Sequence, residues 1–299
     1  MFLLAAVPPP LRGVVRRLVA YDEAGGPPVR RRQAPTGACT LVLGLGEPLR
    51  VGDRSLGSFL GGMSDTVAVT EFRGHQAGVQ VDLAPLGLMR LLGAPGQEVG
   101  GAPVAAEDLA AVSPAGRTLA ALPDRIAGLE SWSARLVHVT DTLADLLADS
   151  AAAPDPEVAH AWRRLAAVRG RVPVPLLAAE VGWSRRHLSR RFAAQVGLAP
   201  TTTARVLRFR RAADLLVPGP GDPPARPRRI ADVAQAAGYA DHAHLDREFR
   251  ALAGCSPQDY VAGWAAAGVD PAEVVHSRGR DPRSPTSKTT RRAAATMDP

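Results

Sequence analysis

Short runs of alternating apolar and polar residues, separated by glycine and proline, mark the first 90 residues of the chain. Clear examples are residues 40–43, 67–69 and 79–83. A period of two places successive side chains on opposite faces of a strand, so these runs predict short β-strands in an antiparallel sheet or barrel. From about residue 86 to 147 the apolar positions recur every three or four residues, which predicts helices, the longest over 132–147.

The same pattern predicts where one domain ends and the next begins. Residues 150–156 read Ser-Ala-Ala-Ala-Pro-Asp-Pro, which is typical of a linker, and the apolar residues from 158 to 267 have helical spacing. After Ser277 the chain is rich in Arg, Ser, Thr and Pro, which predicts disorder. We therefore predict an α+β protein: a mostly-β domain with following helices at 1–150, a linker at 151–157, an all-α domain at 158–267 and a disordered basic tail at 268–299.

Positive charge is concentrated in one part of the predicted helical domain. The formal net charge of the chain is +7, and Lys288 is the only lysine beside 35 arginines. Residues 160–229 contain 15 arginines and three acidic residues, whereas residues 230–275 contain two arginines and seven acidic residues. Such a density of arginine predicts a polyanionic partner, and nucleic acid is the common one.

The cysteines and the N-terminus indicate a cellular compartment. Cys39 and Cys255 are far apart in a chain with no Cys-x-x-Cys motif, which predicts neither a disulfide framework nor a zinc site. The apolar residues 1–7 lack a basic segment and are followed by three prolines, so they predict neither a signal peptide nor a membrane span. We expect a cytoplasmic protein with no membrane partner.

Few residues of the N-terminal part are candidates for chemistry. Cys39, Glu71, His75 and Asp82 carry suitable groups, but their spacing matches no catalytic or metal-ligand pattern. In the second part, His242 and His244 lie two apart, and two such residues point in different directions on a helix. We therefore predict no catalytic residue, no metal and no cofactor.

An internal repeat distinguishes this sequence from an ordinary two-domain protein. The series Leu188, Arg190, Phe192, Gly197 and Pro200 recurs as Leu245, Arg247, Phe249, Gly254 and Pro257. The two residues of each matching pair lie 57 positions apart in the sequence. Agreement at five positions, including glycine and proline, indicates two copies of one supersecondary unit.

Each copy has the pattern of a helix, a tight turn and a second helix. In the first copy Gly182 ends one helix, Ser184 is a good N-cap for the next, and that helix is predicted over 185–196. In the second copy Gly238 and Asp241 have the same roles. A helix over 205–216 is predicted to join the two units. Its outward arginines are candidates for phosphate contacts, and Arg208 is included in the predicted site.

These units, the joining helix and the closing Gly-Cys-Ser-Pro-Gln-Asp-Tyr at 254–260 resemble the DNA-binding domain of AraC/XylS-type transcriptional regulators. The resemblance covers residues 158–264 and implies a sequence-specific regulator that places two recognition helices in the major groove of double-stranded DNA. The base contacts that it implies are Arg185, Arg186, Ser189 and Arg190 in the first unit, and His242, Ala243, His244, Asp246 and Arg247 in the second.

The resemblance also implies partners and a role for the N-terminal domain. Members of this family often carry a ligand-sensing or dimerising domain there, commonly a cupin-like β-barrel, and the predicted layout of residues 1–150 is compatible with one. A small-molecule effector, RNA polymerase and a second copy of the chain are accordingly candidate partners. The amphipathic helix over 132–147 fits a dimer face and packing inside its own domain equally well.

Two departures from the family pattern affect the expected DNA contacts. Residues 217–228 form a Pro/Gly-rich insertion between the joining helix and the second unit, which bears on the spacing of the recognition helices. Asp241, Asp246 and Glu248 make the second unit acidic, which is expected to weaken its attraction to phosphate. The first unit is therefore expected to supply most of the affinity.

Other interpretations remain open on the sequence alone. Arg190 and Arg247 recur at equivalent places, which is consistent with base contacts and also with a repeated structural ion pair. A DNA-anchored enzyme of the alkyl-transfer repair type is the alternative function, and it requires a reactive cysteine, for which Cys39 has no visible partner. A nonspecific DNA binder is a third class, but it has no need of two N-capped recognition helices.

Overall fold

The computed structural model describes residues 1–23, 26, 28–217, 229–267 and 275–276. Most of the 217–228 insertion and most of the predicted disordered tail at 268–299 lie outside the described residues. Within that tail, Val275–His276 form a two-residue strand. Among the described residues no helix combines the length and the apolar character that crossing a membrane requires.

The strands of the N-terminal part, joined by β11 from near the C-terminus, form two antiparallel sheets of mostly short strands, and the alternating pattern predicts such strands in the first 90 residues. The first sheet has the strand order β1-β2-β9-β4-β7-β10 and the second has the order β11-β3-β8-β5-β6. The strands are β1 (Phe2–Ala5), β2 (Val15–Glu23), β3 (Val29–Gln33), β4 (Cys39–Gly44), β5 (Leu49–Val51), β6 (Arg54–Leu56), β7 (Phe59–Gly61), β8 (Ala68–Phe72), β9 (Gln76–Leu83), β10 (Val104–Ala105) and β11 (Val275–His276).

The two faces of the first sheet have different neighbours, as the period of two requires. Leu18, Leu41 and Val81 are fully buried in the main apolar core, which the helices cover. Residues next to them along the strands, such as Val19 and Val42, line the space between the two sheets. The N-terminal part therefore holds a core on one side of this sheet and a cavity on the other.

Twelve α-helices are described, and they follow or cover the sheets. They are α1 (Pro85–Leu92), α2 (Leu109–Val112), α3 (Pro114–Ala120), α4 (Leu122–Ala127), α5 (Trp132–Asp149), α6 (Pro156–Ala167), α7 (Val174–Glu180), α8 (Arg185–Val196), α9 (Pro200–Leu216), α10 (Ile230–Ala237), α11 (His242–Ala253) and α12 (Pro257–Ala267). Short 3-10 turns lie at Pro9–Leu11 and Gly96–Val99. A mostly-β region followed by helices confirms the predicted α+β class.

The buried apolar residues form two large clusters that do not coincide with the predicted domain boundary. The first cluster runs without interruption from the N-terminal sheet through α1 and α5 to Leu188, Phe192 and Leu207. The second cluster contains Phe209, Phe249 and the rest of the second repeat copy. The two clusters therefore meet within α9, and the first copy shares its core with the N-terminal part.

Candidate nucleic-acid interface

The first repeat copy folds as α7, a tight turn and α8. Gly182 adopts a left-handed conformation (φ +69°) in the turn, where a side chain would be strained. The hydroxyl of Ser184 accepts a hydrogen bond of 3.2 Å from the backbone N–H of His187, which caps α8 as predicted. Leu188 and Phe192 are fully buried, so they fix the inner face of α8 to the core.

The outer face of α8 presents the arginines predicted to read DNA. Arg185, Arg186 and Arg190 are exposed, and Ser189 is half-buried beside them. None of the three arginines forms an ion pair with a residue that the structure describes. The guanidinium of Arg190 contacts the ring of His187, with 3.4 Å between Nη2 of Arg190 and Nδ1 of His187. These guanidinium groups are therefore uncompensated positive charges on the surface.

The second copy folds in the same way from α10, a turn and α11. Gly238 adopts the left-handed conformation (φ +84°), and the carboxylate of Asp241 accepts a hydrogen bond of 2.7 Å from the backbone N–H of His244. This N-cap was also predicted from the sequence. The ring of Phe249 lies 4.9 Å from that of Phe209 and 5.4 Å from that of Tyr260, both edge-on, which fixes α11 to α9 and α12.

The outer face of α11 is less charged than that of α8. His242, Ala243 and Arg247 are exposed, whereas His244 and Asp246 are half-buried. His244 packs edge-on against Tyr239, with 5.1 Å between ring centroids. Like Arg190, Arg247 has no ion pair with any described residue, so the described structure provides no repeated structural ion pair at these two positions.

Each of the two acidic side chains within α11 is compensated by an arginine. Asp246 accepts a hydrogen bond of 2.9 Å from Arg250, one turn further along the helix. Glu248 accepts a hydrogen bond of 2.8 Å from Nε of Arg205, which belongs to the joining helix α9. The acidity that the sequence assigns to this unit is therefore largely neutralised inside the domain.

The joining helix uses most of its outward arginines for contacts within the chain. Arg205 pairs with Glu248, and Arg210 pairs with Asp214 at 2.7 Å. Arg208 donates a hydrogen bond of 3.2 Å from Nη1 to the carbonyl oxygen of Gly170 in the turn before α7. The guanidinium of Arg208 has further N–H groups beyond this bond, so it retains the capacity to contact a phosphate.

Charged side chains of α6 and α7 contact one another on the surface of the first unit. Glu180 accepts hydrogen bonds from Arg164 (3.0 Å) and from the ring of His160 (2.8 Å). These contacts lower the pKa of Glu180 from 4.5 to about 2, with the Arg164 hydrogen bond as the main cause. Arg191 likewise forms a bidentate pair with Asp155, which lowers the pKa of that carboxylate.

The candidates for chemistry in the N-terminal part are not brought together. Cys39 is 2% exposed, and burial raises the pKa of its thiol to about 12. His75 pairs with Asp22 at 2.8 Å on the surface. Asp82 accepts hydrogen bonds from Arg17, Thr40 and Gln80. Within the described residues there is no cluster of three or more His, Cys, Asp or Glu residues suited to a metal ion.

A cavity that the sequence pattern did not predict lies between the two sheets. It has a volume of about 540 Å³ and is lined by both sheets, including Arg17, Gln33, Thr40, Val51 and Gln80. Most of its other lining side chains are small or apolar. A cavity depends on which strands pair across long stretches of sequence, so its position could not be read from local alternation.

Comparison with known proteins supports the assignment of the repeat. Residues 177–263 match a family model described as a helix-turn-helix domain. This segment spans both repeat copies, and the match confirms the resemblance to AraC-type regulators that the repeat predicts. No curated protein is significantly similar to the chain.

The chain is also similar to three solved structures. The first is the C-terminal domain of AraT, a response regulator from Geobacillus stearothermophilus. Its sequence is 21% identical, and the match covers 36% of this chain and 85% of the AraT domain (TM-score 0.32). The DNA-binding domain of AdpA, a global transcriptional factor solved with a target DNA, is 29% identical over 38% of this chain and 95% of its own (TM-score 0.32). ToxT from Vibrio cholerae, solved with an unsaturated fatty acid, is 9% identical over 86% of this chain and 97% of its own (TM-score 0.43).

Proposed function

We propose that this chain, which carries an AraC-type helix-turn-helix domain at residues 177–263, is a sequence-specific DNA-binding transcriptional regulator. The observation that carries the proposal is the equivalence of α8 and α11. Each helix begins at a side-chain N-cap, is held by a buried Leu/Phe pair and presents exposed basic or polar residues in its first two turns. Such a helix is suited to enter the major groove with its N-terminal residues against base edges.

The side chains of the two helices have different capacities for reading bases. In α8, the forked guanidinium groups of Arg185, Arg186 and Arg190 match the two acceptors of guanine, and Ser189 can donate to or accept from either base type. In α11, Arg247 has the same capacity as these arginines. The remaining proposed contacts of α11 are His242, Ala243, His244 and Asp246.

The first unit is proposed to supply most of the affinity. Its three outward arginines have no ion-pair partner in the described structure, so each can neutralise a phosphate or bind a base and release counterions. In the second unit Glu248 is compensated by Arg205 and Asp246 is compensated by Arg250. Arg208, between the two units, is proposed to contact the DNA backbone.

The N-terminal domain is proposed to modulate DNA binding through a small-molecule effector. A cavity of about 540 Å³, mostly apolar and carrying a few polar groups, has the size and lining of a small-molecule site. RNA polymerase and a second copy of the chain remain predicted partners, and a cytoplasmic location remains a prediction. The alternative of alkyl-transfer chemistry needs a thiolate, and the buried thiol of Cys39, with a pKa of about 12, is poorly suited to that role.

The proposal is tested by selection of bound DNA from a random pool with the purified full-length chain. The selected sequence and a scrambled control are then titrated at one fixed salt concentration, because specific and nonspecific binding both weaken with salt. We expect a defined motif with a preference of about a thousandfold or more over the control. The selection is done once without ligands and once with a metabolite extract. If no motif is enriched under either condition, the proposal is contradicted.

A further inference from the structure

The second helix-turn-helix unit has few positive charges of its own with which to attract DNA. Residues 230–275 contain two arginines, Arg247 and Arg250, against seven acidic residues. Arg250 is paired with Asp246 at 2.9 Å, so Arg247 is the one arginine of this segment that forms no ion pair with a described residue. Attraction to phosphate requires cations. A second unit that binds DNA therefore needs cations from another part of the chain.

Two arginines from outside the second unit lie against its turn. A Cβ placed on Gly238, the left-handed residue between α10 and α11, would lie 3.1 Å from Cδ of Arg171 and 3.9 Å from Cδ of Arg208. Arg171 belongs to the turn between α6 and α7, and Arg208 belongs to the joining helix α9. We call Arg171 and Arg208 the junction arginines, because they lie where the two units meet.

The backbone beside the junction arginines is held in one conformation. Gly170 is left-handed (φ +75°), and a Cβ there would lie 2.1 Å from the carbonyl oxygen of Ala204, so the turn before α7 lies directly on α9. Arg169 also has a positive φ (+51°) and is the one non-glycine residue with that property in the described part of the chain. Such a conformation costs energy and persists where the surrounding structure determines it, commonly at functional sites.

Each junction arginine uses only part of its guanidinium inside the chain. Nε of Arg171 donates a hydrogen bond of 3.3 Å to the carbonyl oxygen of Val168, and Nη1 of Arg208 donates one to Gly170. A guanidinium has five N–H donors, so both groups retain donors for another acceptor. Arg171 is exposed, and neither junction arginine forms an ion pair with any residue that the structure describes.

The junction arginines lie beside the end of α11 that is proposed to enter the major groove. Gly238 is three residues before the N-cap Asp241, and α11 begins at His242. A recognition helix meets the bases with its N-terminal residues, while phosphates line the edges of the groove. The turn directly before α11 is therefore expected to approach these phosphates, together with the two guanidinium groups that lie against it.

We propose that Arg171 and Arg208 form a site for adjacent backbone phosphates at the junction of the two units, and that this site supplies the positive charge that the second unit lacks. The inference rests on the proposed DNA-binding function. It adds Arg171, which lies outside the matched segment 177–263, to the DNA contacts. Guanidinium groups form charge-assisted hydrogen bonds with phosphate oxygens. Because both arginines are fixed on α9, these contacts also set the register of the two recognition helices on the duplex.

The proposal is tested by the salt dependence of DNA binding by the full-length chain and its variants. Arg171→Gln removes the charge and keeps part of the aliphatic stem beside Gly238, and Arg163→Gln removes an exposed arginine of α6 as a matched control. Each protein is titrated between about 0.05 M and about 0.2 M salt on the DNA that the parent chain selects and on a scrambled duplex of equal length.

We expect the slope of log affinity against log salt to become shallower by about 0.9 with Arg171→Gln, on both duplexes, because one phosphate contact is lost. Arg171→Lys keeps the charge and should keep the slope of the parent chain, as should Arg163→Gln. If Arg171→Gln lowers the yield of folded protein, Arg208→Gln serves as the second variant, with the same expected change. Ethylation of single phosphates should block the parent chain at the junction of the two half-motifs, and this block should be absent with Arg171→Gln.

Three results would each overturn the proposal while the proposed function stands. The first is a slope and an ethylation pattern that stay unchanged with both Arg171→Gln and Arg208→Gln. The second is an equal change of slope with Arg163→Gln, which would indicate a general loss of charge. The third is an equal change with Arg171→Lys, which would assign Arg171 a structural role. If the parent chain selects no motif, the proposed function fails, and the slopes on the scrambled duplex still test the phosphate site.

Discussion

At the scale of single residues, the exposed arginines of α8 have a donor geometry that suits base recognition. A guanidinium presents a rigid fork of donors that matches two acceptors on one guanine, whereas an ammonium group is a compact point charge. Arg185, Arg186 and Arg190 are exposed and have no ion pair among the described residues, so their donors are available to a ligand. Arg191, on the same helix, is committed to Asp155.

Arg186→Ala is predicted to weaken binding to the best DNA site by about 1 to 3 kcal/mol and to relax the base preference at one position. Titration of the preferred site and of its single-base variants measures both effects. Arg163→Ala removes an exposed arginine from α6, outside the recognition helices, and should leave the base preference intact. An equal loss on all sequences would show that Arg186 contacts only phosphate.

Glu180 is predicted to give the first unit an acid-sensitive contribution to stability. Its pKa is lowered from 4.5 to about 2 in the folded chain, so the contribution is complete above the unfolded value and is lost as the pH falls towards the folded one. The melting temperature of Glu180→Gln should therefore fall less than that of the parent chain between about pH 6 and about pH 3. Glu98→Gln, at an exposed position, is the control, and equal slopes in all three proteins would contradict the prediction.

Local signals at single residues could be predicted from the sequence, and distant pairings could not. Ser184 and Asp241 were identified as N-caps because capping needs only a suitable acceptor side chain three residues before the backbone N–H that donates to it. The pairing of Arg205 with Glu248 spans 43 residues and depends on how α9 packs against α11. The sequence therefore suggested that Glu248 helps to weaken the attraction of the second unit to phosphate, whereas the structure shows Glu248 paired with Arg205.

At the scale of elements, the first recognition helix is held by a close backbone approach as well as by its apolar face. The short 3-10 turn Gly96–Val99 lies against the C-terminal end of α8. A side chain on Gly96 would collide with the backbone of Gln195, so only glycine permits this distance.

Gly96→Ala is predicted to lower the free energy of unfolding by about 1 to 3 kcal/mol, because the new methyl group forces the turn away from α8. Chemical denaturation measures the change. Gly128→Ala is the matched control, because a Cβ there would meet no heavy atom within 4 Å and its φ is −73°. An equal stability change in the two variants would contradict the close approach.

The sequence predicted the elements of the repeat better than those of the N-terminal part. The bounds 185–196 predicted for α8 are those observed, because an N-cap and a terminal glycine define both ends locally. The joining helix begins earlier than predicted, at Pro200, since proline is well tolerated in the first turn of a helix. Strand runs such as 79–83 were predicted, but their pairing partners depend on long-range register.

At the scale of the whole molecule, the apolar clusters divide the chain differently from the linker in the sequence. The first unit belongs to the N-terminal core, and the second unit has a core of its own. Composition could not reveal this division, because it depends on which faces of α8 and α9 meet the sheet and its helices.

Leu188→Ala and Phe249→Ala are each predicted to cost about 2 to 5 kcal/mol through cavity formation, but in different regions of the chain. Native-state hydrogen exchange locates the effect. Leu188→Ala should reduce protection in α8 and also in β2 and β9, with which it shares a core. Phe249→Ala should reduce protection chiefly in α10, α11 and α12. If Phe249→Ala, without any other substitution, also reduced protection in β2 and β9, the two-core description would be contradicted.

The most direct test of the central claim, that both units read DNA sequence, is a comparison of selected motifs between two double variants and the parent chain. Arg186→Ala with Arg190→Ala changes only the outer face of α8, and His242→Ala with Arg247→Ala changes only that of α11. The account predicts that each variant loses a different, contiguous part of the motif while the other part is retained. The same motif from all three proteins, or complete loss of specificity in both variants, would contradict it.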